Sequence, residues 1–421
     1  MKKLLFLFFL FFSFSEMSIS QDCFPEGIKF RKQLQIDEFI INFPDCYKIT
    51  GDVIISGEDI TDLNGLINLQ SIGGNLIVSG NYSLPNLIGL GNLDSIGGFL
   101  QVSENFSLAN LTGLGNLIFL NGNLEAINNY SLNKLSGLNS LSAIGGSFLI
   151  SENPELTDLI GLEGLDSIAG KLEIWDNEAL KKLTGLDNIE FIGDDFSIYS
   201  NNKLTGFYSL DTLKTIVGSL KIYDNYSLSK LHGFQILSSV GSNLMIQDCR
   251  SLSNISDFAA LISLGGNLVI EDNYTLSSLS GLDNIDAGSI TDLTIRNNRA
   301  LSNCEVQSIC EYLASPNGKV NIYNNAYGCK TPWEIADSCG VELSCLPYGD
   351  YYFTRQTDID SFQSVFPECN DLKGNVIIDG IENLNGLLQV TSVEGSVSIT
   401  TFWMTNLSGL DSLKFIGGNL S

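Results

Sequence analysis

Cysteine is the residue type in this chain with the most chemistry to offer, and nine are present. Cys23 and Cys46 bracket the start, Cys345 and Cys369 bracket a later segment, and Cys304, Cys310, Cys329 and Cys339 cluster between them, leaving Cys249 alone. Zinc would need thiolates in CxxC-like pairs or a Cys/His set. No CxxC occurs, and the single histidine, His232, cannot complete such a set. Disulfides are therefore predicted, with the pairing among the clustered four left open. The carboxylates are less promising still. Glycosidic cleavage needs two carboxyl groups facing each other across the bond. Glu125 and Glu173 share a column but have Leu149 between them. Two strand spacings, roughly 10 Å, lie at the edge of the inverting range. No histidine, arginine cluster or aspartate pair joins them, and no Gly-rich phosphate loop, nucleophile elbow or other cofactor motif appears. These residues predict binding rather than catalysis, with no cofactor.

What must position any binding residue is a repeat. Asparagine recurs at Asn81, Asn105, Asn129, Asn153, Asn177, Asn201 and Asn225, then Cys249, then Asn273, in steps of 24 residues. Leucine follows three places later each time, from Leu84 to Leu276, and an isoleucine-rich column runs from Ile72 to Leu264. Such a period implies one coil of chain per repeat, with like residues stacked above like. After a recurring glycine (Gly74, Gly98, Gly122) the residues alternate, as in Leu76 and Val78 or Leu172 and Ile174, which is the pattern of a short strand. The glycine marks a corner needing positive φ or close backbone approach. Buried asparagines at the next corner can bond to one another and to backbone groups. Cys249 sits in that column and reads as a buried structural thiol. Most Asn-x-Ser/Thr matches, such as Asn81-Tyr-Ser, fall on the same ladder and are by-products of the repeat.

With the inward columns assigned to the core, recognition is left to the outward strand positions and corners. One outward column carries Trp175, Tyr199 and Tyr223 in consecutive coils, with Glu173, Ser197 and Lys221 beside them. Such a row is a candidate platform for a sugar chain or a protein hot spot. The competing reading is that stacked rings only stabilise the sheet or meet a neighbouring domain. The corner residues Tyr82, Phe106 and Tyr130 read as packing. A net charge of −26 argues against nucleic acid and against a polybasic membrane contact.

The ends are specialised. Residues 1–20 have the form of an export signal: Lys2 and Lys3, an apolar run from Leu4 to Phe14, then small residues at Ser18 and Ser20. No later stretch is apolar enough to span a bilayer, so a secreted or cell-surface location is expected, with no transmembrane segment in this chain. Residues 21–343 read as one capped solenoid, with helix-like spacing in Gln33–Phe43 and two short cysteine-bearing helices in Cys304–Leu313 and Thr331–Cys339. Residues 344–421 restart the pattern: Cys345, Pro347, Phe366, Pro367 and Cys369 echo Cys23, Pro25, Phe43, Pro44 and Cys46. Parity and the echo pair Cys23 with Cys46 and Cys345 with Cys369. The sequence stops within an expected strand, as expected of a piece of a longer protein.

The repeat L-x-I-x-x-N-x-x-L-x-x-L-x-G-L-x-x-L-x-x-I-G-G between cysteine-bracketed caps resembles the receptor L-domain family, the leucine-rich domains of insulin and epidermal growth factor receptors. The spelling of NLNGLINLQSIGGNLIV is similar to that of long L-domain-like surface proteins of Bacteroidetes-type bacteria. The resemblance spans about residues 22–421. It implies a mainly β, right-handed, single-stranded β-helix or leucine-rich solenoid, and extracellular recognition or adhesion toward a protein or glycan. A passive spacer is the alternative, and a polysaccharide-degrading β-helix a remote one. It supplies no catalytic residues, and no receptor ligand contact carries over. Where animal receptors continue into a cysteine-rich module, this chain passes into another L-domain-like start. General leucine-rich repeats favour Asn-x-Leu, whereas the spacing here is Asn-x-x-Leu.

Overall fold

The structure is a computed structural model describing residues 22–343, 345, 349–366 and 369–421. The expected export segment, residues 1–20, and the echoing Pro347 and Pro367 lie outside them. Strands form where residue types alternate. Leu172–Trp175 and Leu220–Tyr223 bury their first and third side chains and turn the second and fourth outward. Each strand pairs in parallel with the equivalent residues of the next coil, Leu172 with Phe196 and Trp175 with Tyr199. Repetition of this register builds a 13-stranded parallel sheet from Ile28–Phe30 to Val320–Tyr323.

A second strand in each regular coil, two residues long, carries the isoleucine column. Ser167–Ile168 pairs with Phe191–Ile192, and an 11-stranded parallel sheet results. Two three-stranded parallel sheets follow, starting at Tyr351–Phe353 and Asp371–Leu372. The molecule is thus mainly parallel β and solenoid-like, and among the described residues no sheet closes on itself.

The core lies between the two large sheets. Leu156, Leu159, Leu162 and Leu165 are fully buried, as are their counterparts in neighbouring coils. Each contributes about 2 kcal/mol on burial, but only against the coils above and below, since a single coil has no interior. Glycine permits the tight stacking. At Gly122 the backbone does not adopt positive φ; instead a Cβ would come within 2.7 Å of the Gly98 carbonyl group. Positive φ belongs to another column, as at Gly113, where φ is 124° and a Cβ would lie 1.8 Å from the Leu87 oxygen.

The asparagines form a buried ladder in which Cys249 takes one rung. The Oδ1 atom of Asn177 accepts from the backbone N–H of Asn153 at 3.2 Å, and its Nδ2 donates to Ile150 O, Trp175 O and Asn201 Oδ1. Across the irregular spacings the ladder persists, with Asn273 N–H donating to Asn298 and Asn298 N–H to Asn325. Cys249 occupies its rung fully buried, its backbone N–H on Asn273 Oδ1 and its Sγ 3.5 Å from Gln247 O. Burial pushes its thiol up to about 12.

Disulfides close the ends. Cys23–Cys46 clamps the helical turns Gln33–Asp37 and Phe39–Asn42 to the first strands. At the other end Cys304 pairs with Cys329 and Cys310 with Cys339, tying in the helices Gln307–Ala314 and Pro332–Cys339. Cys345–Cys369 repeats the first arrangement beside helix Gln356–Val365. The restarted segment packs on the preceding end. Trp333 lies 5.1 Å from Phe366 and 6.1 Å from Phe353 between ring centres, and the Tyr323 and Tyr352 rings stack at 3.7 Å.

The ladder makes a quantitative demand. Asn177→Ala strands buried donors and acceptors in two adjoining coils and is expected to cost roughly 3 kcal/mol, measured by urea denaturation. Asn177→Cys, copying the Cys249 rung, should cost distinctly less, since a thiol keeps a weak donor and acceptor; a loss below about 1 kcal/mol for Asn177→Ala would show that the amide bonds are not what matters. A second expectation concerns thiols. Without reductant, a chromogenic thiol reagent should find none in the native chain and one after denaturation.

Candidate functional site

The outward aromatic row is assembled by register. Trp175 pairs with Tyr199, and Tyr199 with Tyr223, in consecutive parallel strands. The ring centres are 5.8 and 4.4 Å apart, with planes inclined by only 4° and 8°. The rings therefore stack on one another along the solenoid, and each is half-buried. The faces between them are covered, so the row presents edges to solvent rather than a pavement of ring faces. This geometry disfavours a sugar ring lying flat on the row. It suits a protein partner meeting a rigid apolar rib.

The polar neighbours are more committed than their spacing announced. Lys221 Nζ lies 2.7 Å from Asp195 Oδ2, so its charge is already matched. Burial pushes the Asp195 carboxyl up, but Lys221 and the Ser219 amide outweigh it and hold the group below the ordinary carboxylate range. Glu173 lies in the column beside the rings, and Ser197 is buried between it and Lys221. Burial raises the Tyr199 and Tyr223 phenols above their ordinary range. Glu125 and Glu173 remain separated by Leu149, each paired to it from opposite sides. His232 sits on a corner, 2.9 Å from Gln235 and 3.6 Å from Asp257. Among the described residues no group of His, Cys, Asp or Glu could hold a metal ion, and no helix is long and apolar enough to cross a membrane.

The same outward column continues past the residues first singled out. Beyond Gln247, Glu271 forms an ion pair with Arg296, and Arg296 Nη1 donates to the Tyr323 hydroxyl at 2.6 Å. Tyr323 then stacks on Tyr352 across the junction. The signal for Tyr323 was present in the sequence: it precedes Asn325 by two residues, as Trp175 precedes Asn177. At the corner, Tyr82 and Phe106 stack at 4.7 Å while Tyr130 meets Phe106 edge-on, and all three keep a third or more of their surface exposed.

These features define a class: a solenoid-like parallel β protein, disulfide-bonded at its ends, with an aromatic rib on one sheet. No protein-family model matches the chain. No curated protein matches it either.

The half-buried phenols make the rib titratable. The folded chain keeps the Tyr199 and Tyr223 protons after the unfolded chain has released its own near pH 10. Their contribution is fully present below that pH, and stability must fall as pH rises beyond it. Tyr199→Phe with Tyr223→Phe should flatten part of this alkaline decline, followed by denaturation midpoints between pH 8 and 11. An unchanged slope would mean that the two phenols are not held neutral by the fold.

Proposed function

We propose that this chain is an exported, L-domain-like recognition module whose aromatic rib engages a protein. In this reading, 24-residue coils wind in a right-handed solenoid over residues 21–343, and residues 344–421 begin a second unit of the same kind. Four disulfides, an economical device only in an oxidising compartment, support export. The observation that carries the binding role is the rib itself. Trp175, Tyr199 and Tyr223 keep their edges in solvent on a sheet whose other outward residues are mostly small, polar or paired. Trp and Tyr are the residues that dominate protein hot spots, because they bring large area at small conformational cost.

A second reading, that the solenoid is a passive spacer, draws on the same rings. Their mutual stacking stabilises the sheet without any ligand. The triple substitution of Trp175, Tyr199 and Tyr223 by serine separates the two. Under recognition, capture of a partner on a protein array is lost by at least about tenfold, more than 1.4 kcal/mol, while circular dichroism is unchanged. Retention of every binding signal by the folded triple variant overturns the rib and leaves the spacer.

A further inference from the structure

At the corner where the first solenoid gives way to the restarted segment, a polar cleft of about 610 Å³ is lined by Tyr274, Asn297, Arg299, Asn324, Lys330 and Arg355, among others. Its cations stand out in a chain of net charge −26. Arg355 is engaged by Glu334 at 3.1 Å and Asp358 at 2.7 Å. Arg299 and Lys330 have no carboxylate within ion-pair distance among the described residues. The repeat explains why. Two coils earlier, Arg250 occupies the position equivalent to Arg299, one residue after its rung of the ladder. There Asp248, two residues before it, grips the guanidinium through both oxygens, at 2.8 and 3.2 Å.

The residue two before Arg299 is Asn297, which has the same left-handed backbone, φ 59° against 47° for Asp248. The corner column that reads Asp224, Asp248 and Asp272 changes to Asn297 and Asn324 where the cleft opens. Meanwhile Arg299 keeps the aromatic support of its counterpart, its guanidinium 5.3 Å from the centre of the Tyr274 ring. An arginine held on a ring and deprived of its internal carboxylate is set up for a bidentate oxyanion from outside.

We propose that this cleft binds the oxyanion of an acidic sugar, with Arg299 as the fork and Lys330 as a second cation. The amides of Asn297 and Asn324 and the hydroxyl of Thr354 line the same space and match a hydroxyl-rich ligand better than an apolar one. Asp272 is the one carboxylate on the cleft wall, and the remaining negative charge of the chain is screened beyond about 8 Å at physiological salt. The site is separate from the aromatic rib and does not depend on it.

Calorimetric titration of the full chain tests the assignment. The probes are an oligogalacturonate, a sulfated oligosaccharide of equal length and a neutral one. At least one acidic probe should bind saturably and more weakly as salt is raised, and which one binds tells carboxylate from sulfate. Arg299→Ala should reduce its affinity at least about tenfold. Asn297→Asp, which restores the internal partner that Arg250 has, should do the same with an unchanged thermal midpoint. The serine triple variant of the rib should bind as the parent does. Absence of binding by both acidic probes at millimolar concentration overturns the proposal. So does binding that survives both substitutions, or equal binding of the neutral probe.

Discussion

Everything in this molecule depends on buried amides that find their partners one coil away. A polar group removed from water must be bonded, and each ladder asparagine satisfies its own amide and its neighbour's backbone only if the next coil arrives in register. That requirement fixes the period more tightly than leucine packing would, because hydrophobic contact tolerates small shifts and a hydrogen bond does not. The irregular rungs at Asn298 and Asn325 illustrate the point: extra residues are absorbed in loops while the amide contacts persist.

Register, once fixed, decides which side chains share a surface. Trp175, Tyr199 and Tyr223 come together because each precedes its ladder residue by two. The same rule makes Arg250 and Arg299 comparable although they differ in partner. One is closed by Asp248, the other left open by Asn297, and that single change alters the electrostatics of a whole corner. In a solenoid a substitution is read against its column.

The inward columns, the strands Leu172–Trp175 and Leu220–Tyr223 and the buried place of Cys249 were legible in the sequence because periodicity encodes burial directly. The second sheet was not, since strands such as Ser167–Ile168 are too short to alternate. Nor was the choice between the two roles open to the recurring corner glycine, which depends on how near the next coil's backbone comes. The pairing of Cys304 with Cys329 and Cys310 with Cys339 rests on how two helices lie against the last coils, which spacing does not specify. At the rib, sequence identified the rings but not their tilt. Face-to-face stacking, and the capture of Lys221 by Asp195, follow from side-chain rotamers and from a neighbour 26 positions away.

The constancy of the regular coil also bears on how such a protein can change over time. Duplicating or deleting one regular coil between Tyr223 and Tyr274 would leave the interior columns with equivalent partners on either side. Outside, the same event would slide the rib and the basic corner apart or together by one strand spacing, about 4.8 Å. The fold is in this sense a ruler with fixed graduations. Lineages that gain or lose coils can alter the reach between two surface features without having to reinvent either one.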